Sequence, residues 1–431
     1  MARDRRRLLM HPWQSAFDRL DARTARDLAQ DFGTPFILID EASLDSRRRL
    51  VEEATAGARL FLPYKASPLS HVRRYFAAAR LGAEVASGRE LAAATAHGIA
   101  ADSLILNQPA RDATTFRGAI ALGATVVADG VADIRSVAAV ASRQRPARVL
   151  LRVRPGQAGG AGWSRFGMPV EGAEFAAALA LAAESPSLEV VGLHCHLGTN
   201  ISAAASYGQA AGQLAERWRD IERVLGRRLE VLDFGGGFAT PTSCPLHQSP
   251  GQWRPDGPGS IVAEIRNALA TTRLLHRVEL WLEPGRILVE DSAVLVTRVV
   301  HVREGAVGRQ VTCDSGVHQV PTANWLRHPV ARVGKCDEAL NGLRSTLLCG
   351  ALCMETDIIR ADCALPADLA VGDLLKIGAV GCYDLALAFE FIHGHCPVLL
   401  QQRDGDLVCL RRRQPGDDSQ RLSGMRCAPT S

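Results

Sequence analysis

Short apolar segments alternate with helical ones along the first two thirds of the chain. Each apolar run ends at a polar or glycine break and is followed by an alanine-rich stretch, such as 89–94 or 172–184. The predicted strands are 59–64, 83–86, 103–106, 125–128, 148–153, 189–194, 230–234 and 279–282. Strands and helices that alternate in this number, over roughly 235 residues, predict a (β/α)8 barrel of the TIM type. An open doubly wound sheet is the alternative.

The pattern changes after Arg286. Helical periodicity is lost, and short β-type runs follow at 293–302, 310–313, 345–349, 374–377, 398–402 and 406–411. They predict a mostly β C-terminal domain, completed by an early strand near Phe36, while residues 1–33 predict one or two helices. The expected domains are an N-terminal segment at 1–40 that packs with the β domain, a cofactor-binding barrel at 41–290, the β domain at 291–413 and a disordered tail at 414–431.

Composition narrows the possible functions. The chain is 47% hydrophobic and 22% charged with a net charge of only +4, so it predicts a globular protein with no nucleic-acid partner. The arginine runs 5–7 and 411–413 are expected to be solvated. No apolar run reaches about 18 residues, and the N-terminal segment lacks a secretory signal's apolar core, so no membrane association is expected. The cysteines stand singly without a CxxC pair, which predicts reduced thiols, a cytoplasmic location and no metal site.

Lysine is rare in this arginine-rich chain and occurs only as Lys65, Lys335 and Lys376. Lys65 ends the first predicted strand and is followed closely by Pro68. A lysine amine can lose its proton and form a Schiff base, whereas an arginine guanidinium cannot. Taken alone, Lys65 is more simply explained as a charged side chain that extends from a strand end. Its neighbours in the predicted barrel therefore decide the interpretation.

Functional residues of a barrel lie at the C-terminal ends of its strands. His196 follows strand six, glycines 235–237 follow strand seven, and Glu283 and Arg286 follow strand eight. Glycines let backbone N–H groups approach a phosphate, and Arg can bind one through two N–H groups. A tight turn alone would also explain the glycines, but barrels often bind phosphate after strands seven and eight. With the Lys65 amine and a carboxylate for a pyridine nitrogen, the set predicts pyridoxal 5'-phosphate (PLP) as cofactor.

Eight segments then reveal a family resemblance: FLPYKASP, EVASGREL, GLHCHLGTN, LDFGGGF, LEPGR, CDSGVH, GALCMETD and GCYD occur in this order within residues 35–400. Together they resemble the fold-type III (alanine racemase-like barrel) PLP-dependent amino-acid decarboxylases, the family of the ornithine, arginine and diaminopimelate enzymes. The resemblance implies a carboxy-lyase of amino-acid metabolism that works as a homodimer with shared active sites.

The resemblance also implies roles for individual residues. Lys65 resembles the Schiff-base lysine, His196 the histidine that stacks on the cofactor ring, and Cys353 the proton donor from the partner subunit. The implied cofactor-binding residues are Lys65, Glu84, His196, Thr199, Gly235, Gly236, Gly237, Glu283, Gly285, Arg286 and Tyr383. The implied substrate-binding residues are Asp357, Glu355, His318 and Arg327.

Two positions depart from the best-known family members. Met354 stands where a carboxylate would contact the far end of the substrate, and Glu355 is displaced by one position. After 314–316 the family's Arg-Pro pair is missing; His318 follows, and the nearest arginine is Arg327. These departures favour a modified amino acid of secondary metabolism over diaminopimelate or ornithine.

Two alternatives to an active decarboxylase are a PLP-dependent amino-acid racemase and a non-catalytic regulatory homologue. A carboxylate at the ring nitrogen, such as Glu283, favours decarboxylation, because the related racemases usually place an arginine there. A regulatory homologue is expected to have lost Lys65 or Cys353, and both are present.

Overall fold

The computed structural model describes residues 14–156, 165–305, 308–334 and 342–413. The arginine run 5–7, Lys335 and the predicted disordered tail 414–431 lie outside the described residues. Contacts divide the chain into two units, one at Asp45–Glu290 and the other combining Met1–Leu44 with Asp291–Ser431. The helices lie at Ala16–Arg19, Ala22–Phe32, Glu41–Ala54, Ser70–Ala78, Gly88–Ala96, Ala113–Leu122, Val131–Val140, Ala173–Glu184, Ala204–Leu225, Pro258–Thr271, Arg286–Val289 and Asp384–Leu387.

The unit Asp45–Glu290 is a closed parallel barrel. Its first to eighth strands are Arg59–Pro63, Gly82–Val85, Leu104–Leu106, Thr125–Ala128, Ala147–Arg154, Leu188–His194, Val231–Asp233 and Glu279–Leu282. The eighth strand pairs with both the seventh and the first, which closes the sheet. The barrel prediction is therefore confirmed, and every strand bound lies within one residue of its expected position. Short strands at Met168–Pro169 and Cys244–Pro245 complete the unit.

A layer of large side chains fills the barrel. It consists of Phe61, Ile105, Val127, Leu150, Val191, Val231 and Trp281, which come from seven of the eight strands. The second strand contributes Gly82, because a Cβ atom there would lie 2.3 Å from the ring of Phe61. A closely packed interior of this kind keeps the C-terminal strand ends in fixed positions.

The second unit is mostly β. Its strands are Phe36–Asp40, Ala293–Gly305, Gly308–Cys313, Leu326–Arg327, Val330–Arg332, Leu343–Cys349, Ile358–Pro366, Leu374–Gly378, Val398–Gln401 and Leu407–Arg411. Phe36–Asp40 pairs antiparallel with Ala293–Gly305 and parallel with Val398–Gln401, which confirms that an early strand completes the sheet. Ile358–Pro366 was not predicted, because Arg360 and Asp362 interrupt its apolar pattern and its pairing with Leu343–Cys349 shifts register.

Among the described residues, no helix has both the length and the apolar character needed to cross a membrane. No disulfide joins the nine cysteines of this part of the chain.

Candidate active site

Lys65 lies at the C-terminal end of the first barrel strand, in the short turn Tyr64–Ala66. Its Nζ atom is 2.5 Å from Oε2 of Glu84. The two meet because Pro63 of the first strand pairs with Glu84 of the second. The Lys65 side chain is 45% exposed, whereas that of Glu84 is 1% exposed. Burial raises the pKa of Glu84, and the Lys65 charge opposes that rise. Lys65 therefore offers an accessible amine that lies against a buried carboxyl group.

Arg73 holds the turn that carries Lys65. Its Nε atom donates to the carbonyl of Ser67 at 2.8 Å, and Nη2 donates to the carbonyl of Tyr64 at 2.7 Å. The guanidinium carbon also lies 4.4 Å from the centre of the Tyr64 ring. The carbonyls on either side of Lys65 are thus bound by one buried guanidinium.

Glu90 extends this support to the second strand. It lies 3.7 Å from Nη2 of Arg73, and its Oε2 atom accepts the N–H of Ala86 at 2.8 Å. Ala86 follows the strand that contains Glu84. The pair therefore ties the strand ends of Lys65 and Glu84 together. Arg73 and Glu90 were not predicted from the sequence; the only signal was the presence of charged residues on barrel helices next to the Lys65 and Glu84 segments.

His194 and His196 follow one another at the end of the sixth strand. His194 is buried, with Nε2 at 3.3 Å from Oε1 of Glu283. His196 is partly exposed, and its Nδ1 atom accepts the N–H of Gly236 at 3.2 Å. This bond assigns the ring proton to Nε2. Loss of hydration, followed by the charge of Lys65, lowers the pKa of His196 well below its usual value. His196 is consequently a neutral, flat ring.

The glycine turn after the seventh strand has no room for side chains. A Cβ atom on Gly235 would lie 2.5 Å from Nδ1 of His196, and one on Gly236 would lie 2.3 Å from the carbonyl oxygen of Glu283. Gly235 and Gly237 also have φ angles of 59° and 89°, which glycine adopts without strain. The turn thereby brings backbone N–H groups close to the ends of the sixth and eighth strands.

Asp233 and Glu283 end the seventh and eighth strands as buried carboxyl groups. Oδ1 of Asp233 accepts the N–H of Gly235 at 2.7 Å. Burial, together with the charge of Glu283, raises the pKa of Asp233 well above its usual value. Burial also raises the pKa of Glu283, although the charges of Lys65 and Arg152 oppose the change.

Arg286 begins the short helix that follows Gly285. Its Nη1 atom lies 2.8 Å from Oε1 of Glu290 within the same turn. Glu290 also accepts hydrogen bonds from the hydroxyls of Thr240 and Ser243, in the loop after the glycine turn. Glu290 was not predicted from the sequence. The phosphate role of Gly285 and Arg286 stays a prediction, as does that of Thr199, which is exposed in the loop after the sixth strand.

In the β unit, Asp357 joins two loops through its carboxylate. Oδ1 accepts the N–H of Val317 and Oδ2 accepts that of Leu352, each at 2.7 Å. Leu352 precedes Cys353, which is exposed together with Met354 and Glu355. Asp357 therefore holds the Cys353 loop in place, and its predicted contact with a substrate stays a prediction.

The other residues expected in the β unit differ in exposure. His318 is buried beside His393, with ring centres 5.9 Å apart, and burial lowers its pKa to about 4. Arg327 pairs with Asp362. Tyr383 has a φ of 68° and precedes the helix Asp384–Leu387. A bulky residue adopts this angle only where the surroundings impose it, and such residues cluster at functional sites.

The aromatic segment after Tyr383 was also not identified from the sequence. Phe389 and Phe391 are 38% and 56% exposed, and the Phe389 ring centre lies 6.4 Å from that of His318. Phe389, beside the neutral His318, and Phe391 two positions on expose apolar side chains. Alternating aromatic residues at 389 and 391 were the available signal.

The barrel residues fit pyridoxal phosphate by the chemistry of their donors and acceptors. Lys65 offers an accessible amine, His196 a neutral ring and Glu283 a buried carboxyl group, while 235–237 form a turn into which no Cβ atom fits. These groups match the aldehyde, ring face, ring nitrogen and phosphate of the cofactor, respectively.

Comparisons with known proteins agree with this fit. Residues 41–290 match the pyridoxal binding domain of the pyridoxal-dependent decarboxylases. The chain is 32% identical to a diaminopimelate decarboxylase of Actinosynnema pretiosum subsp. auranticum, over 91% of this chain and 90% of the relative. It is 24% identical to an L-glutamyl-acyl-carrier-protein decarboxylase of Niallia circulans, over 93% and 96%. The crystal structure of diaminopimelate decarboxylase from M. jannaschii has a TM-score of 0.80 at 22% identity, over 91% of this chain and 92% of that chain.

Proposed function

Because the chain belongs to the pyridoxal-dependent decarboxylase family, it is a PLP-dependent carboxy-lyase that acts on an amino acid, and we propose that Lys65 binds the cofactor covalently. The observation that supports this role most directly is the position of the Lys65 amine. It lies at a barrel strand end, 2.5 Å from the buried Glu84 carboxyl group, and remains accessible. A nearby carboxylate can accept a proton from the amine, which then becomes nucleophilic.

The other barrel residues bind and orient the cofactor. When bound, pyridoxal phosphate supplies an electron-poor ring that accepts the electron pair left behind by departing CO2. Glu283 holds a proton on the ring nitrogen, and neutral His196 packs on the ring face. The glycine turn 235–237 contributes the N–H of Gly237 to the phosphate, because the N–H groups of Gly235 and Gly236 donate to Asp233 and His196; Arg286 adds its positive charge. Glu84, Thr199, Gly285 and Tyr383 complete the proposed cofactor contacts.

Cys353 is the proposed proton donor to the carbon from which CO2 has departed. Its thiol is exposed, on a loop that Asp357 holds through two backbone N–H groups. The family resemblance implies that this cysteine reaches into the active site of a partner subunit. The proposed active form is therefore a homodimer with shared sites. The β unit would then select the substrate, and the barrel would bind the cofactor.

The proposed substrate is an amino acid that differs from diaminopimelate and ornithine at its far end. Met354 is apolar, His318 is buried and neutral, and the Arg327 guanidinium already pairs with Asp362. Glu355 is the only one of the predicted substrate contacts that is both charged and exposed. Because Glu355 is displaced by one position from the family's carboxylate and Met354 is apolar, a modified amino acid from secondary metabolism fits these side chains better than diaminopimelate or ornithine.

A substrate panel tests the proposal. Purified protein loaded with PLP is given meso-diaminopimelate, ornithine, lysine, arginine, glutamate and N-acylated or aromatic amino acids, and CO2 release and chirality are measured. We expect CO2 from at least one amino acid, with the common substrates turned over poorly. Inversion of chirality without CO2 would indicate a racemase, and no reaction with any substrate would support a regulatory homologue.

Mixing two inactive variants tests the shared site. Lys65→Ala and Cys353→Ala are each inactive if the roles above are correct. In a mixed dimer with shared sites, one of the two sites would be intact, so equal mixing should restore roughly a quarter of the wild-type activity. No restoration, despite exchange of subunits, would place Lys65 and Cys353 in the same subunit's site or remove Cys353 from the reaction.

A further inference from the structure

Asp233 and Glu283 place two buried carboxyl groups close together. One oxygen of each carboxyl and one ring nitrogen of His194 lie within 4.8 Å of one another. Oδ2 of Asp233 and Oε1 of Glu283 accept no hydrogen bond from any described N–H or O–H group. The nearby Nε2 of His194, 3.3 Å from Glu283, lacks hydrogen-bond geometry. Two ionised carboxylates can only accept hydrogen bonds, so a hydrogen bond between Asp233 and Glu283 requires a proton on one of them.

We propose that Asp233 carries this proton as a neutral carboxylic acid and donates it to Glu283, which is thereby held as an oriented carboxylate for the cofactor. Asp233 is then a positioning residue, since it acts through Glu283. The inference rests on the proposed contact between Glu283 and the ring nitrogen of the cofactor.

The surroundings decide which carboxyl group keeps the proton. Oδ1 of Asp233 already accepts the Gly235 N–H, so Oδ2 is left to carry a proton toward Glu283. The charges of Lys65 and Arg152 favour the ionised form of Glu283. Asp233 instead faces the charges of Glu283 and Glu84, and its pKa is raised well above the usual value by burial and by these charges.

His194 does not supply a compensating positive charge. Burial, followed by the charge of Arg152, lowers its pKa well below the usual value, so it remains neutral. Without a proton on Asp233, two negative carboxylates would share a space removed from water, which is strongly unfavourable. A proton that moved to Glu283 would leave a neutral acid facing the ring nitrogen. The proposed arrangement keeps one negative charge and places it on Glu283.

Asp233→Asn is the decisive variant. An asparagine has the same shape, its oxygen can accept the Gly235 N–H, and its NH2 group donates permanently to Glu283. We expect the visible band of the bound cofactor to be unchanged and the cofactor Kd to change by less than about tenfold. Asp233→Leu removes the donor, so its cofactor Kd should rise by about tenfold or more. If the Asn variant loses the cofactor as the Leu variant does, or fails to fold, Asp233 must be ionised and the proposal is wrong.

The cofactor-free protein provides a second measurement. A carboxyl group whose pKa is raised in the fold contributes stability at low pH, and that contribution is lost as the pH rises above about 4. The ratio of the wild-type unfolding equilibrium constant to that of Asp233→Asn should therefore increase by up to about tenfold for each pH unit above about 4. The titratable and charged groups that act on Asp233 or on Glu283 are the same in both proteins: Glu283, Glu84, His194, Cys195, Lys65 and Arg152. Parallel profiles would contradict the proposal.

Asp133→Asn is a matched control. Asp133 is also buried in the barrel unit, but it pairs with Nε of Arg111 at 2.5 Å and accepts the N–H of Asp129 at 2.7 Å. Asp133→Asn should be less stable than the wild type at neutral pH. Its free energy of unfolding should still fall as the pH rises, because Asp233 is unchanged.

A metal ion between the three side chains is the competing explanation. If Zn2+ or Mg2+ stabilised the cofactor-free wild type but not Asp233→Asn, the carboxyl groups would be metal ligands and the proposal would be overturned. Failure of the proposed function would look different. A Lys65→Ala protein that kept the cofactor's colour would refute the role of Lys65, while the cofactor-free stability profiles would be unaffected.

Discussion

Nζ of Lys65 lies 2.5 Å from Oε2 of Glu84, across the first and second strands of the barrel. The other oxygen of Glu84 is buried and accepts no hydrogen bond within the described residues. The charge of the amine therefore favours the ionised form of this buried carboxyl group, and the carboxyl group in turn fixes the position of the amine. Replacing either residue should affect cofactor binding.

Lys65→Ala should abolish the visible absorbance of protein incubated with pyridoxal phosphate, because no amine remains to bind the aldehyde. Lys65→Arg should do the same, since a guanidinium keeps the charge but is not nucleophilic. Lys376→Met is the control. Its Nζ atom donates to the carbonyl of Phe17 at 2.6 Å, so its loss should lower the free energy of unfolding and leave the colour intact. A coloured Lys65→Ala protein would contradict the assignment.

Cys353→Ala should keep the cofactor's absorbance and lose amine formation by about 100-fold or more, because proton transfer by a positioned group contributes at least that factor. Cys409→Ala is a suitable comparison, since Cys409 is the other exposed cysteine of the described residues. It should have normal activity. Equal amine formation by both variants would remove Cys353 from the mechanism. The amount of product amine formed and its ratio to the CO2 released are measured for both variants.

Gly236→Ala should weaken cofactor binding and destabilise the protein by about 1–3 kcal/mol, because the added Cβ meets a backbone oxygen that cannot easily move. That oxygen, of Glu283, would lie 2.3 Å away. Gly212→Ala is the opposite case. It lies inside the helix Ala204–Leu225 with no atom within 4 Å of the new Cβ, so it should stabilise by about 0.5–1 kcal/mol. Thermal unfolding and cofactor titration distinguish the two effects.

Arg73→Met should lower the free energy of unfolding by about 3 kcal/mol, since the Tyr64 and Ser67 carbonyls lose their donor and Glu90 loses its charged partner. It should also raise the cofactor Kd, because the turn that holds Lys65 is no longer fixed. Arg73→Lys, which can bind only part of this set, should be intermediate.

Arg48→Met is the control for Arg73. Arg48 makes a comparable set of bonds to Asp45, Glu52 and Tyr75 on the outer helices. Its loss should destabilise the fold without changing cofactor affinity at temperatures where the protein stays folded. If both variants weaken binding equally, Arg73 has only a general structural role.

Acid should destabilise the β unit through His318. Burial, followed by the charges of His393 and His395, lowers the pKa of His318 to about 4, whereas an unfolded histidine titrates near about 6.5. Between these values the unfolded chain binds a proton that the folded chain does not, so the free energy of unfolding falls as the pH falls. The loss relative to His318→Asn should reach at most about 1.4 kcal/mol per pH unit. Denaturant unfolding between pH 4 and 7 measures the difference, and identical slopes would contradict it.

The barrel could be predicted because each strand is a short apolar run between clear breaks, a local signal that does not depend on distant residues. The chemistry of its strand ends could be predicted for a similar reason. Lys65, His196, Glu283 and the glycines 235–237 each follow a strand, and every strand end of a parallel barrel faces the same side.

The groups that support these residues could not be predicted. Arg73 and Glu290 are charged residues on helices, where a solvated position is the usual outcome. The strand Ile358–Pro366 was missed because its polar residues obscure the alternation. In each case the deciding contact joins residues whose proximity depends on packing, which no local pattern records.

The amino-acid sequence by itself determined the order of the elements, the family and the set of reactive groups, because periodicity and residue type act locally. The tertiary structure alone decided how those groups are paired. Strand register places Lys65 against Glu84, and the glycine turn sets the tautomer of His196. The ends of the seventh and eighth strands bring one carboxyl oxygen of Asp233 within 4.8 Å of one of Glu283. These pairings depend on distances of a few ångströms between residues far apart in the chain, and removal from water then changes their proton affinities.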